Sequence, residues 1–171
     1  MAELFHNVSG YADVGPSTAM TKIHLLLPID ATPRSRWGIQ YAIWQHRAGK
    51  QVEVSLLHVV EPLMRRFDTL RFRTEQEIAA FRSERGQWLL DDAVVLLCEN
   101  KIAHRAYIRE GKVVFEILDT AEQLDCSEII LPAPPRGWTR FLTRNIVPRV
   151  LRKQRTIAVV TVNQHGLPEQ A

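Results

Sequence analysis

The chain alternates between short apolar runs and longer stretches in which apolar positions return every three or four residues. Ile23 to Ile29 reads IHLLLPI, nearly continuous in apolar residues between Lys22 and Asp30. Such a run suits a central parallel strand covered on both faces. Pro28 has no N–H to give a neighbour and belongs at the strand's end. Ser35 to Ala48 carries Trp37, Tyr41 and Trp44 at helical spacing, with Ala42 and Ala48 beside them. That pattern predicts a helix burying an aromatic stripe, with Gly49 just past its end as a C-terminal cap. Val52 to Val60, VEVSLLHVV, alternates and then turns wholly apolar, a second strand closed by Glu61-Pro62.

A connection rich in Arg and Phe, Leu63 to Arg73, precedes a predicted long helix from about Thr74 to Asn100. Ile78, Phe81, Trp88, Leu89, Leu96 and Leu97 share one broad face of it. Thr74 with Glu77 has capping-box spacing. Ala103 to Ile108 reads as a short strand, Arg109 to Lys112 as a turn, and Val113 to Leu124 as a helix with Val114, Ile117, Leu118, Ala121 and Leu124 inward. Asp125-Cys126-Ser127 leads into a fourth strand, Glu128 to Leu131. A proline-rich loop, a basic helix from Ile146 to Lys153 and a last strand, Thr156 to Val162, complete the pattern. Strand and helix alternate throughout, which predicts an α/β domain with a mostly parallel sheet and helices on both faces. Residues 22–163 form that domain, after an N-terminal extension (1–21) and before a C-terminal tail (164–171).

Composition adds limits. A chain of 171 residues suits one domain, and 46% apolar with 24% charged residues is ordinary for a globular protein. The net charge of +3 is far from the excess of a dedicated nucleic-acid binder. Arg144, Arg149, Arg152, Lys153 and Arg155 are basic, but no stacking aromatics accompany them, so nucleic acid is not an expected partner. Arg65, Arg66, Arg71 and Arg73 could attract an anionic partner, but read first as a solvated face. Cys98 and Cys126 lack metal-ligand spacing and read as buried apolar residues in a reducing compartment. No run reaches membrane-spanning length, and the start lacks a signal-peptide pattern. A cytoplasmic location is the expectation.

Chemistry is sparse. Neither a G-x-S-x-G elbow, a P-loop, nor a paired-carboxylate metal cluster is legible, which disfavours an enzyme. His58, inside a strand, reads as a hydrogen-bonded structural residue. Asp30 stands at the carboxyl end of the first strand, where open α/β sheets place their ligand crevice. It reads equally as a ligand-facing carboxylate and as a turn or cap before Thr32-Pro33. The loop after the fourth strand, Pro132-Ala133-Pro134-Pro135-Arg136-Gly137, lies at the same end of the predicted sheet.

Taken in order, KIHLLLPIDATPRSRWGIQYAI, VSLLHVVEP, REGKVVFEILDTAEQLDCSEIIL and NIVPRVLRKQRTIAVVTV resemble the universal stress protein family across about residues 22–162. Asp30, His58-Val59, Gly111, Glu128 and Val150-Leu151 take the places of its pattern. The resemblance implies an adenine-nucleotide-binding fold with an open five-stranded parallel sheet in the order 3-2-1-4-5. It also implies a homodimer paired through the last strand, Thr156 to Val162. An uncovered apolar edge independently favours such pairing. On this reading Val159→Asp or Val160→Asp would weaken the dimer.

ATP-binding members carry a G-x2-G-x9-G-[ST] loop after strand four. Its glycines let backbone N–H groups close on phosphates ahead of a helix N-terminus. Here the first glycine position is Ala133, the second is nearest Gly137 at a changed spacing, the third is Arg144, and the Ser/Thr position is Asn145. Pro134 and Pro135 each remove a donor and fix φ. Two readings follow. The loop is degenerate and ATP binding is weakened or lost; or Arg136, Arg140 and Arg144 replace the backbone donors and ATP with magnesium binds. In a bound state Asp30 and the Val59 backbone would meet the adenosine, and Ala133, Gly137, Arg144 and Asn145 would flank the phosphates.

Overall fold

The computed structural model describes residues 22–61, 75–134, 146–153 and 156–169. Strand β1 (Lys22–Pro28) is followed by a 3-10 turn (Pro33–Arg36), helix α1 (Trp37–Arg47) and β2 (Gln51–Val60). Then come α2 (Glu75–Glu99), β3 (Ala103–Glu110), α3 (Val113–Gln123) and β4 (Glu128–Pro132). Helix α4 (Val147–Lys153), β5 (Ala158–Val162) and a two-residue β6 (Pro168–Glu169) complete the order. The sheet runs β3-β2-β1-β4-β5-β6, parallel except for β6, which pairs antiparallel with β5.

The apolar run of β1 has a direct cause. Leu25 and Leu27 enter a cluster with Val54, Leu56, Leu90 and Leu97, beneath α1 and α2. Leu26 turns the other way, to Leu57, Ile117, Ile129 and Val150 beneath α3 and α4. With a period of two, a strand covered on both faces must be apolar at every position.

Several expectations need correction. The sheet has six strands, because the C-terminal tail folds back as β6 and lies along part of β5. The last strand is therefore not an uncovered edge from end to end. In α1 the inward face is Ile39, Tyr41, Ala42 and Ile43, while Trp44 is 50% exposed. In α2, Trp88 is 76% exposed, whereas, among the described residues, Gly86, Leu90, Ala93 and the expected Leu97 are buried. Aromatic spacing misled in both helices because Trp fits a helical period on either side of a helix. Which side meets the sheet is set by packing. Cys126 is buried as expected, but Cys98 is exposed. Strand β3 extends through Arg109 and Glu110, leaving only Gly111 and Lys112 before α3, since β2 continues far enough to pair with them. The segment Leu63–Arg73, Thr74, and the side chains of Glu77, Ile78 and Phe81 lie outside the described residues.

Candidate functional site

The carboxyl ends of β2, β1 and β4 lie side by side, and the chain departs from β1 and β4 toward opposite sides of the sheet. In an open parallel sheet this switch point is where a crevice forms. Three expected site residues come together there. Asp30 follows β1, Val59 lies near the end of β2, and Ala133 follows β4. Gly137, Arg144 and Asn145 lie outside the described residues.

The β1 end is tightly sewn. Asp30 Oδ1 accepts from the Thr32 amide at 2.8 Å and from Thr32 Oγ1 at 2.6 Å. Ser35 Oγ donates back to the Asp30 and Thr32 carbonyls at 3.1 and 2.8 Å. The turn reading of Asp30 is therefore realised: a carboxylate two residues ahead of an amide closes an Asx turn, and Pro33 opens the 3-10 turn. Asp30 itself stays exposed, just past the carboxyl end of β1.

His58 Nδ1 lies 2.9 Å from the Ile29 carbonyl. A carbonyl only accepts, so Nδ1 carries the proton in this bond. His58 is thus the structural residue that the sequence indicated, tying the end of β1 to β2. Leu57 O accepts from Ile29 N at 2.8 Å, so Leu57 points its backbone groups at β1. By strand alternation Val59 points its own toward the same side, beyond Pro28, the last β1 residue in the ladder.

At β4 the arrangement differs. The Ala133 amide donates to the Val162 carbonyl at 2.8 Å. Its carbonyl accepts a hydrogen bond from Arg34 Nη2. The guanidinium also lies 5.1 Å from the centre of the Trp37 ring, within cation–π range. Both backbone groups at the position of the loop's first glycine are therefore engaged within the protein, and Ala133 is buried. Arg34 spans the crevice from the β1 loop to the β4 loop. Sequence reasoning missed it, because a contact across 99 positions leaves no local signal. The Thr-Pro-x-Ser pattern could have flagged Ser35.

Among the described residues no group of three or more His, Cys, Asp or Glu side chains could hold a metal ion, and no helix is long and apolar enough to cross a membrane. Among the described residues, two groups are shifted from their usual values. Burial, with the hydrogen bond to Glu128, pushes the Tyr41 phenol up to about 12. Burial, with Glu53 and Asp125 nearby, pushes the Cys126 thiol up to about 12. Neither lies in the crevice. Both hold their protons at neutral pH and offer no activated nucleophile.

The architecture defines an open parallel α/β protein with a topological switch point between β1 and β4, where such folds place their ligands. The universal stress protein family model matches residues 23–162, and the chain belongs to that family. No curated protein matches it. Among solved structures it is similar to a universal stress protein family member from Burkholderia pseudomallei. That pair shares 21% identity and a TM-score of 0.61, over 81% of this chain and 94% of the other. A family member from Arabidopsis thaliana with AMP bound gives 13% identity and a TM-score of 0.58, over 83% and 92%. The universal stress protein from Archaeoglobus fulgidus in complex with dAMP gives 17% and 0.55, over 83% and 98%. At these identities the likeness establishes the shared fold.

Proposed function

We propose that this chain is a non-catalytic, homodimeric stress-response member of its family, acting in the cytoplasm. Its nucleotide loop is degenerate, and ATP binding is weakened or lost. The observation that carries this reading is Ala133. A phosphate cradle needs backbone N–H groups turned outward. The Ala133 amide is spent on Val162, and Arg34 holds its carbonyl from across the cleft. Pro134 and Pro135 add no donors after it. Two free thiols accord with a reducing compartment.

A second reading draws on the relatives that bind AMP and dAMP. On this reading Asp30 and the Val59 backbone, at the carboxyl ends of β1 and β2, would meet the adenosine. Arginines at 136, 140 and 144 would then carry the phosphates, with magnesium beside them.

Calorimetric titration of nucleotide-stripped protein with ATP and magnesium separates the two. The unstripped preparation is assayed for co-purified nucleotide. The expected result is neither micromolar binding nor retained nucleotide. Micromolar binding that disappears in Arg144→Ala would establish the second reading instead. Arg34→Ala, which unties the two loops, should bind AMP more tightly than the parent chain.

A further inference from the structure

The C-terminal tail is built, not draped. Asn163 Oδ1 accepts from the amides of His165 and Leu167 at 2.9 and 3.1 Å. The Asn163 amide donates to the Leu167 carbonyl at 3.0 Å, and the Gly166 amide to the Asn163 carbonyl at 2.9 Å. Gly166 has φ +72°, a conformation that side chains disfavour. A Cβ there would lie 2.5 Å from the Tyr41 amide nitrogen and 2.6 Å from the Gln40 carbonyl carbon. The tip of the hairpin therefore sits directly on the backbone of α1. Strand β6 then runs back along β5, with Glu169 opposite Thr161 and Pro168 opposite Val162. Thr161 Oγ1 donates to the Glu169 carbonyl at 2.5 Å.

This places the tail on the edge of β5. Among the described residues, β6 pairs with two of its five residues, Thr161 and Val162. We propose that the hairpin is a detachable cover over the edge through which a second copy of this chain pairs. Self-association is then set by competition between cover and partner strand. The proposal rests on the homodimer reading above. Two copies of β5 related by a two-fold axis would pair through the backbone groups that β6 now takes. With the cover in place Thr161 and Val162 are taken from that ladder; with it released all of β5 can be shared. The cover is weak by composition. Among the described residues its ladder is two residues long, Pro168 has no N–H to donate, and Leu167 is 46% exposed. The seat of Gly166 on α1 acts as its latch.

Sedimentation equilibrium on three chains tests this: the full chain, a chain ended after Asn163, and Gly166→Val. The last keeps every residue of the tail but cannot seat it. Circular dichroism checks that each is folded. Both altered chains should dimerise about tenfold or more tightly than the full chain. Adding Ala158→Asp, an exposed position on β5, should reverse the gain. Equal dimerisation by all three, sensitive to Ala158→Asp, would leave the homodimer reading standing and overturn the cover. Weaker dimers in the altered chains would also overturn it, since the tail would then belong to the interface. Monomers throughout would remove the homodimer reading and, with it, the cover.

Discussion

At one edge of the sheet β3 shows Arg105, Arg109 and Glu110 to solvent. At the other, β5 carries Ala158, Val159 and Val160 and lies partly under the chain's own hairpin. Both edges have backbone groups that another strand could pair with. They differ in what pairing would cost. A strand added to β3 would desolvate guanidinium and carboxylate groups, which is unfavourable without partners. A strand added to β5 would desolvate mainly methyl groups. A charged edge protects itself, and an apolar edge must be covered by something. Here a hairpin latched on α1 does so over part of its length.

Three variants probe this difference, beginning with the largest expected effect. Leu27→Ala empties a fully buried position at the centre of the sheet, between both edges. It should lower stability by about 2–5 kcal/mol in chemical denaturation. Amide exchange at β3 and β5 should quicken together; loosening of one edge alone would mean that the two halves are not one cooperative unit.

Tyr41→Phe acts on the covered edge only. Tyr41 donates to Glu128 Oε2 at 2.8 Å and lies where Gly166 meets α1. Losing a hydrogen bond to a carboxylate should cost about 1.5–3 kcal/mol, with exchange quickening in β5 and β6 before β3. The pH dependence has a definite sign. The folded phenol, at about 12, keeps a proton that the unfolded chain releases above 10.0. Its contribution is fully present below the unfolded value and is lost as pH rises through the folded one. Tyr41→Phe should flatten that alkaline loss. The Cys126 thiol is raised from 9.0 to about 12 and contributes in the same direction, so its part of the slope should persist in the variant.

Smallest in stability is the pair Arg105→Val with Arg109→Val on β3. Exposed strand positions should change stability by less than about 0.5 kcal/mol. The visible effect should be concentration-dependent association in light scattering, because the charges that guard the edge are gone. An unchanged scattering profile would show that β3 is protected by something other than charge.

The contrast also locates what could be read in advance. The order of strands and helices was legible because apolar runs and turn residues are local. Gly49 past α1, with φ +86°, and Pro28 at the end of β1 followed from backbone chemistry alone. His58 as a structural residue and Asp30 as a turn residue were legible for the same reason. The family resemblance ordered the sheet through β5. What escaped was long-range. Trp44 and Trp88 sat at helical spacing but on the outer side, and Arg34 reaches a carbonyl far along the chain.

By itself, then, the sequence determined the elements, the parallel sheet and the residues at its carboxyl end. Those depend on periodicity, on proline and glycine, and on short-range hydrogen bonding. Only the tertiary structure decided that Arg34 bridges the cleft, that Ala133 has neither backbone group to offer, and that the tail closes over β5. Each of these joins residues distant in the chain. Whether they meet is settled by how helices pack on the sheet, and no local pattern encodes that.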